Sequence, residues 1–348
     1  MILMMCTVAK GGMLSVVEGY RRSGLFDDCQ IRLIATHDDV GLLQRLWLSL
    51  RAMGSLLRAL LFDRVGGVHL HAAMRGSFWR KSVYAVVARR FGVRVVYHLH
   101  GSEMKPFIEG LPAWGRALAV HMLERADAVI VLSHSWQQYV SGLAPKARVH
   151  LIPNYIEVGE RRFPIPADEV RFLFLGALGK RKGVYDLLPA FAEALRSHGA
   201  MRLVVGGDGE LAQTRALAAE LGVATQVDFL GWVSGDAKRQ ALERADAFVL
   251  PSYNEGLPMS ILEAMAFGLP VISTRVGGIP EAVLNGRTGV LLQAGDRAAL
   301  TAAFLSLAQS NERRQAMGTA GYTLVKSDYS DVAVVPKIKA LYKELGMV

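Results

Sequence analysis

Three observations predict an α/β protein built from two parallel-sheet domains. The chain has 348 residues, more than one core usually serves. Short aliphatic runs alternate with stretches of helical period along its whole length. Glycine-bearing loops follow several of those runs, as they do where strands of an open α/β sheet deliver backbone to a ligand. Hydrophobic residues make up 51% of the chain, enough for two buried sheets.

The formal charge of +9 is uneven. Residues 1–155 hold 19 Lys and Arg against 10 Asp and Glu, whereas the remainder holds 21 of each. Between Val40 and Ser102 there are ten basic residues and one acid, Asp63. Such a face is either simply solvated or meets an anionic partner, a phospholipid surface or a phosphorylated acceptor. Two cysteines, Cys6 and Cys29, offer neither metal spacing nor a disulfide framework and suit a reducing compartment. The N-terminus lacks the basic leader and cleavage pattern of a signal peptide, and no apolar run reaches about 18 residues, so a cytoplasmic location is expected.

In order, residues 2–5 predict a first strand, followed by Lys10-Gly11-Gly12 and a helix over 13–22. Gly11 and Gly12 let backbone approach a ligand, with helix amides behind. A strand at 31–35 precedes a helix over 44–62, with Trp47, Leu50, Leu57 and Leu61 at helical spacing and Arg45, Arg51 and Arg58 on another face. This helix is read either as core-facing or as a basic amphipathic helix on an anionic surface. After a strand at 68–71 come Arg75, Phe78, Trp79, Arg80 and Lys81, the aromatic-basic cluster best suited to a membrane headgroup region or an acceptor. No nucleic-acid fold pattern accompanies it.

A strand at 93–99 delivers His100 to its C-terminal end, where ligands of open sheets bind. His98 is expected on the opposite side of the strand. Glu103 and Lys105 follow in the same loop, with Lys105 available to an acceptor. Strands at 128–132 and 149–152 complete the first domain, residues 1–155. Residues 156–169, with Pro164 and Pro166, read as a linker.

The second domain, 170–325, opens with a strand at 171–175 and the loop Gly176-Ala-Leu-Gly-Lys-Arg-Lys-Gly183. A glycine turn, cations and a helix start make a phosphate cradle. A strand at 203–205 runs into Gly207-Asp208-Gly209-Glu210-Leu211-Ala212, a G-x-G-x-x-A match with Asp228 further on, which leaves an NAD-linked enzyme open as an alternative. Strand 227–230 leads to Gly231 and Trp232, and a helix over 236–245 follows.

The most informative stretch is 250–281. A strand at 247–250 stops at Pro251, and Glu255 lies in the loop before a helix over 260–267 that Pro258 starts and Gly268 ends. Glu263 is within that helix, seven residues intervening. Glu255 beside the amides of Gly256 and Leu257 suits a ligand with hydroxyls at one end and phosphates at the other.

This stretch closely resembles the EX7E signature of family 4 glycosyltransferases, retaining enzymes of the GT-B fold, and the resemblance runs from Gly11 to the C-terminal helices. It implies two Rossmann-like domains facing across a cleft, with the 326–348 helix returning to the first domain. It assigns Glu255 to the donor sugar, Glu263 to the ribose, Lys182 to the diphosphate, His100 to the reacting sugar and Trp232 to the base region. Gly11, Gly12, Gly176, Gly207, Gly256, Leu257 and Pro258 become donor-binding positions. It implies transfer from a UDP- or GDP-linked sugar to a saccharide acceptor in polysaccharide or glycolipid assembly, and the basic first domain adds the expectation that this acceptor is lipid-linked at the inner face of a membrane. The chain departs from the pattern at Ala177, where the family carries Arg, so a catalytically inactive GT-B scaffold remains an alternative. With no D-x-D and no metal-ligand spacing, neither metal nor cofactor is expected.

Overall fold

The computed structural model describes residues 1–160 and 169–348. They fall into two compact units, Met1–Glu157 with Ser330–Val348, and Val158–Tyr329. Most of the expected linker, 161–168 with Pro164 and Pro166, lies outside the described residues.

The first unit is built on β1 (Ile2–Thr7), β2 (Ile31–His37), β3 (Gly67–Ala72), β4 (Arg94–Leu99), β5 (Ala128–Val131) and β6 (Val149–Leu151). These pair in parallel in the order β2-β1-β3-β4-β5-β6. Helices cover the sheet, so β1 is buried along its whole length and its sequence reads as an unbroken apolar run. The strand order reverses between β1 and β3, and the loops that follow those two strands flank the resulting crevice. The C-terminal helix Asp331–Glu344 belongs to this unit: its N-cap Ser330 bridges Ile156, and Tyr342 is fully buried.

The second unit contains β7 (Val170–Leu175), β8 (Met201–Gly206), β9 (Val227–Gly231), β10 (Ala247–Leu250), β11 (Val271–Thr274) and β12 (Gly289–Leu292). All are parallel, in the order β12-β11-β10-β7-β8-β9. Its reversal lies between β7 and β10, so the loop with Lys182 and the loop with Glu255 leave neighbouring strands at the same end.

One open alternative is decided and one expectation is corrected. The helix Leu42–Phe62 forms, but Trp47, Leu50 and Leu61 are 58%, 63% and 62% exposed; its core face is Ala52, Leu56 and Ala59. The helix carries two apolar stripes, and the one rich in alanine permits the closer approach to the sheet. Periodicity finds both stripes and cannot rank them. Lys105 does not lie in a loop: it is part of the helix Met104–Glu109, with its ammonium over the Tyr139 ring.

Candidate functional site

In the second unit the turn after β7 tightens into a 3-10 helix, Lys180–Lys182, and Gly183 (φ 74°) opens the helix Val184–Ser197. A Cβ at Gly183 would lie 2.0 Å from the Pro251 carbonyl oxygen, so only glycine allows the β7 and β10 loops to touch here. The backbone amide of Tyr253 donates to the Arg181 carbonyl at 2.8 Å, and the Tyr253 hydroxyl donates to Asp186 at 2.6 Å. These bonds fix the loop that carries Glu255.

Glu255 is 6% exposed. Its Oε1 accepts from Lys182 Nζ at 2.5 Å and from Ser252 Oγ at 2.8 Å. Ser252 is itself held by Thr274, whose hydroxyl donates to the Ser252 carbonyl at 2.5 Å. On the other side Gly277 (φ 55°) packs so closely that a Cβ would lie 1.9 Å from the Glu255 carbonyl oxygen. The carboxylate is thus held from the β7 and β10 loops, and Thr274 and Gly277 brace the backbone beneath it. Carboxylate and ammonium are available here in one fixed geometry, the combination that meets sugar hydroxyls and phosphate oxygens.

Gly256, Leu257 and Pro258 are buried in the approach to the helix Met259–Ala266, whose N-terminus has no side-chain cap. Glu263 lies within this helix and accepts from Lys238 Nζ at 2.6 Å. The sequence reading missed Lys238, because it comes from another helix, Gly235–Glu243, with no motif around it. Gly176 and Gly207 sit at the C-terminal ends of β7 and β8, and Trp232, 42% exposed, follows β9. Ala177 is exposed, and the Arg181 guanidinium lies 3.4 Å from the Asn254 carbonyl, beside Glu255. The acid expected of a dinucleotide site, Asp228, is instead engaged by Arg202 at 3.2 Å.

In the first unit, β3 and β4 deliver four imidazoles to one place. His69 Nδ1 meets the Tyr342 hydroxyl at 2.5 Å, His69 Nε2 meets His98 Nδ1 at 3.2 Å, and His71 Nδ1 meets His100 Nε2 at 2.8 Å. His98 and His100 therefore share a face, with ring centroids 4.1 Å apart, which corrects the expectation that they diverge. Residues two apart on a strand point the same way. Nitrogens of His69, His71 and His98 also lie within 4.8 Å of one another, a cluster invisible to sequence spacing because parallel pairing creates it. The rings pair two by two, His69 with His98 and His71 with His100, and leave His71 Nε2 and His98 Nε2 buried without a hydrogen-bond partner. Burial pulls His69 and His100 down to about 3 and His71 and His98 well below their ordinary value, so all four are neutral near pH 7.

The aromatic-basic cluster is only partly superficial. Arg75 is exposed and Trp79 and Arg80 are half-buried, but Phe78 is 0% and Lys81 1% exposed, so neither can meet a membrane. Phe78 stacks on Tyr97 in the core, and Lys81 Nζ donates to Thr36 Oγ1. The helix Gly76–Arg90 packs on the sheet through that face. Gly11 and Gly12 open the helix Gly12–Arg22 after β1.

Among the described residues no helix is long and apolar enough to cross a membrane.

The family described as "Glycosyl transferases group 1" matches residues 157–324, and "Glycosyltransferase Family 4" matches residues 18–160. Similar proteins include an N-acetyl-alpha-D-glucosaminyl L-malate synthase of Bacillus anthracis, 26% identical over 80% of this chain and 74% of that one. A D-inositol 3-phosphate glycosyltransferase of Acidothermus cellulolyticus is 31% identical over 66% of this chain and 57% of its own length. A GDP-mannose-dependent alpha-(1-6)-phosphatidylinositol monomannoside mannosyltransferase of Mycolicibacterium smegmatis is 31% identical over 68% and 66%. In fold, the chain matches a sucrose-phosphate synthase from Thermosynechococcus elongatus with a TM-score of 0.82 at 20% identity, covering 99% of this chain and 98% of that one. It also matches Anabaena HepE in complex with UDP-glucose, with a TM-score of 0.77 at 19% identity and 99% coverage of both.

Proposed function

Since the chain belongs to the family 4 glycosyltransferases, with two Rossmann-like domains of the GT-B class, we propose that it transfers a sugar from a UDP- or GDP-linked donor to a hydroxyl of an anionic saccharide or lipid-linked acceptor, with retention at the anomeric carbon. The observation that carries this reading is the Lys182–Glu255–Ser252 constellation at the switch point of the second unit. A nucleotide sugar has both chemistries that constellation matches, hydroxyls beside a diphosphate.

In the proposed reaction the bond from the anomeric carbon to the diphosphate oxygen breaks as the acceptor oxygen bonds to the same face. The acceptor proton passes to the departing phosphate, so a nucleoside diphosphate and a glycoside are the products. Lys182 moves from Glu255 toward the diphosphate and offsets the charge that develops there. Glu255, relieved of its ammonium, accepts hydrogen bonds from donor hydroxyls. Glu263 and Lys238 bind the nucleoside end. His100 stays neutral and meets the sugar as a hydrogen-bonding group, its ring oriented by His71. This scheme routes no step through a metal or cofactor.

The acceptor side rests on charge and on related proteins. Malate, inositol phosphate and a phosphatidylinositol lipid occur in the names of the three relatives above, and the basic excess here lies in residues 1–155. Peripheral attachment to an anionic membrane is carried by the helix Leu42–Phe62, which has no acidic residue and exposes Leu43, Leu46, Trp47, Leu50, Leu61 and Phe62 beside Arg45, Arg51 and Arg58. This helix replaces the buried Phe78 and Lys81 as the proposed contact.

The test is incubation with a panel of UDP- and GDP-sugars and saccharide acceptors, with product anomers read by proton NMR. A glycoside of the donor's own anomeric configuration supports the proposal. Inversion, or nucleotide-sugar binding without product across the panel, contradicts it.

A further inference from the structure

We propose that the first unit holds a zinc-class metal site in its core, formed by His69, His71 and His98. One nitrogen from each of the three rings lies within 4.8 Å of the others, and all three residues are 0% exposed. β3 supplies His69 and His71 on one face of the strand. β4 supplies His98, the direct partner of His71 in the parallel register. The set contains imidazole alone. Imidazole suits zinc, copper, iron and nickel, whereas magnesium and calcium take oxygen ligands.

The hydrogen bonds leave the right atoms for an ion. His71 commits Nδ1 to His100, and its Nε2 is buried with no partner. His69 commits Nδ1 to the Tyr342 hydroxyl, so its Nε2 is the nitrogen it can turn to a metal. His98 can ligate through either nitrogen: Nδ1 stands 3.2 Å from His69 Nε2, and Nε2 has no partner. Two nitrogens bound at about 2.0 Å to a tetrahedral zinc stand about 3.3 Å apart, so His69 and His98 already hold that spacing. Rotation of the His71 ring closes the rest. A metal-ligating histidine ordinarily donates its other N–H to a fixed acceptor, and Tyr342 and His100 stand in that place for His69 and His71. Orphaned nitrogens cost free energy in a core, and an ion that takes a bare lone pair removes that cost.

The bound ion has two consequences. It ties β3 to β4 and, through Tyr342, to the C-terminal helix Asp331–Glu344. It also fixes a tautomer. With Nε2 on the metal, His71 carries its proton on Nδ1 and donates it to His100 Nε2. His100 then keeps its own proton on Nδ1, the nitrogen turned away from His71. This second consequence rests on the role proposed above for His100; the site itself does not.

The untagged full chain, freed of metal with a chelator, is titrated with Zn²⁺ and with Co²⁺ in an excess of Mg²⁺. One equivalent of each ion is expected to bind, Co²⁺ with the visible absorption of a tetrahedral, nitrogen-ligated centre, and Zn²⁺ is expected to raise the melting temperature. His69→Gln and His98→Gln should weaken both ions at least tenfold, while His121→Gln, at an exposed histidine, leaves them unchanged. If either core variant misfolds, X-ray absorption of the zinc-loaded wild type decides, with a shell of three imidazoles expected. No binding, equal binding in wild type and both core variants, or a shell dominated by oxygen overturns the site. Zinc binding without sugar transfer from any donor keeps the site and removes the transferase reading. Sugar transfer by a chain that binds no zinc does the reverse.

Discussion

Lys182 Nζ and Glu255 Oε1 stand 2.5 Å apart in the second unit, with side chains only 14% and 7% exposed. They come from loops 73 residues apart in sequence, joined because β7 and β10 are neighbours. A pair this buried holds each member in place, and truncating one strands the other. Lys182→Met is expected to cost about 3–5 kcal/mol of stability. Lys182→Met with Glu255→Gln is expected to cost less than the sum of the singles. Denaturant unfolding of the three variants measures this, and additive losses would show that the two residues are not coupled.

The buried imidazoles set the pH response. Their folded values lie below the ordinary 6.5, so beneath that pH the unfolded chain takes up protons that the folded chain refuses. Stability contributed by this cluster is therefore complete above about pH 6.5 and falls as pH drops toward about 3. Each ring that stays neutral adds about 1.4 kcal/mol per pH unit to the slope. Unfolding curves from pH 7.5 to 4 should steepen this way in wild type and flatten in His98→Gln.

Lys81 acts in the same direction in a different window. Burial pulls it from 10.5 down to about 7, so between those values the unfolded chain holds a proton that the folded chain lacks. Stability should rise with pH from about 7 to 10.5. Lys81→Met removes that rise and should raise the melting temperature near pH 7, since the methionine fills the same volume without a charge to desolvate. A lower melting temperature would mean that its bond to Thr36 outweighs desolvation.

The outer face of Leu42–Phe62 predicts attachment. Trp47→Glu with Leu50→Glu touches exposed residues, so the fold should persist and vesicle flotation on anionic lipid should drop at least tenfold. If the wild type instead dimerises and the variant is monomeric by light scattering, the face binds a second copy and not lipid.

Ala177 predicts a gain. Ala177 is an exposed small side chain in the loop after β7, with Arg181 nearby in the same loop. Ala177→Arg should tighten nucleoside diphosphate binding about tenfold, the worth of one added charge-assisted hydrogen bond. Arg181→Gln should weaken it. Unchanged affinity in both would remove Arg181 as the compensating cation.

The parallel sheets were legible because strands buried on both faces leave short apolar runs, and proline and glycine mark their ends, as at Pro251 and Gly268. The Glu255 loop was legible because its residue types are local. What was hidden depends on pairing across the sheet. The His69–His98 contact, the Lys182–Glu255 pair and the Lys238 partner of Glu263 all join residues from different elements. The orientation of Leu42–Phe62 stayed open in the sequence for a different reason: burial is a competition between two apolar faces, which the alanines won.

The most direct test of the central claim is the initial rate of sugar transfer from the best nucleotide-sugar donor by wild type and by Glu255→Gln, which keeps shape and removes the charge. The proposal predicts a loss of at least a hundredfold in the variant, with folded circular dichroism and retained nucleoside diphosphate binding. An undiminished rate in that variant would contradict it.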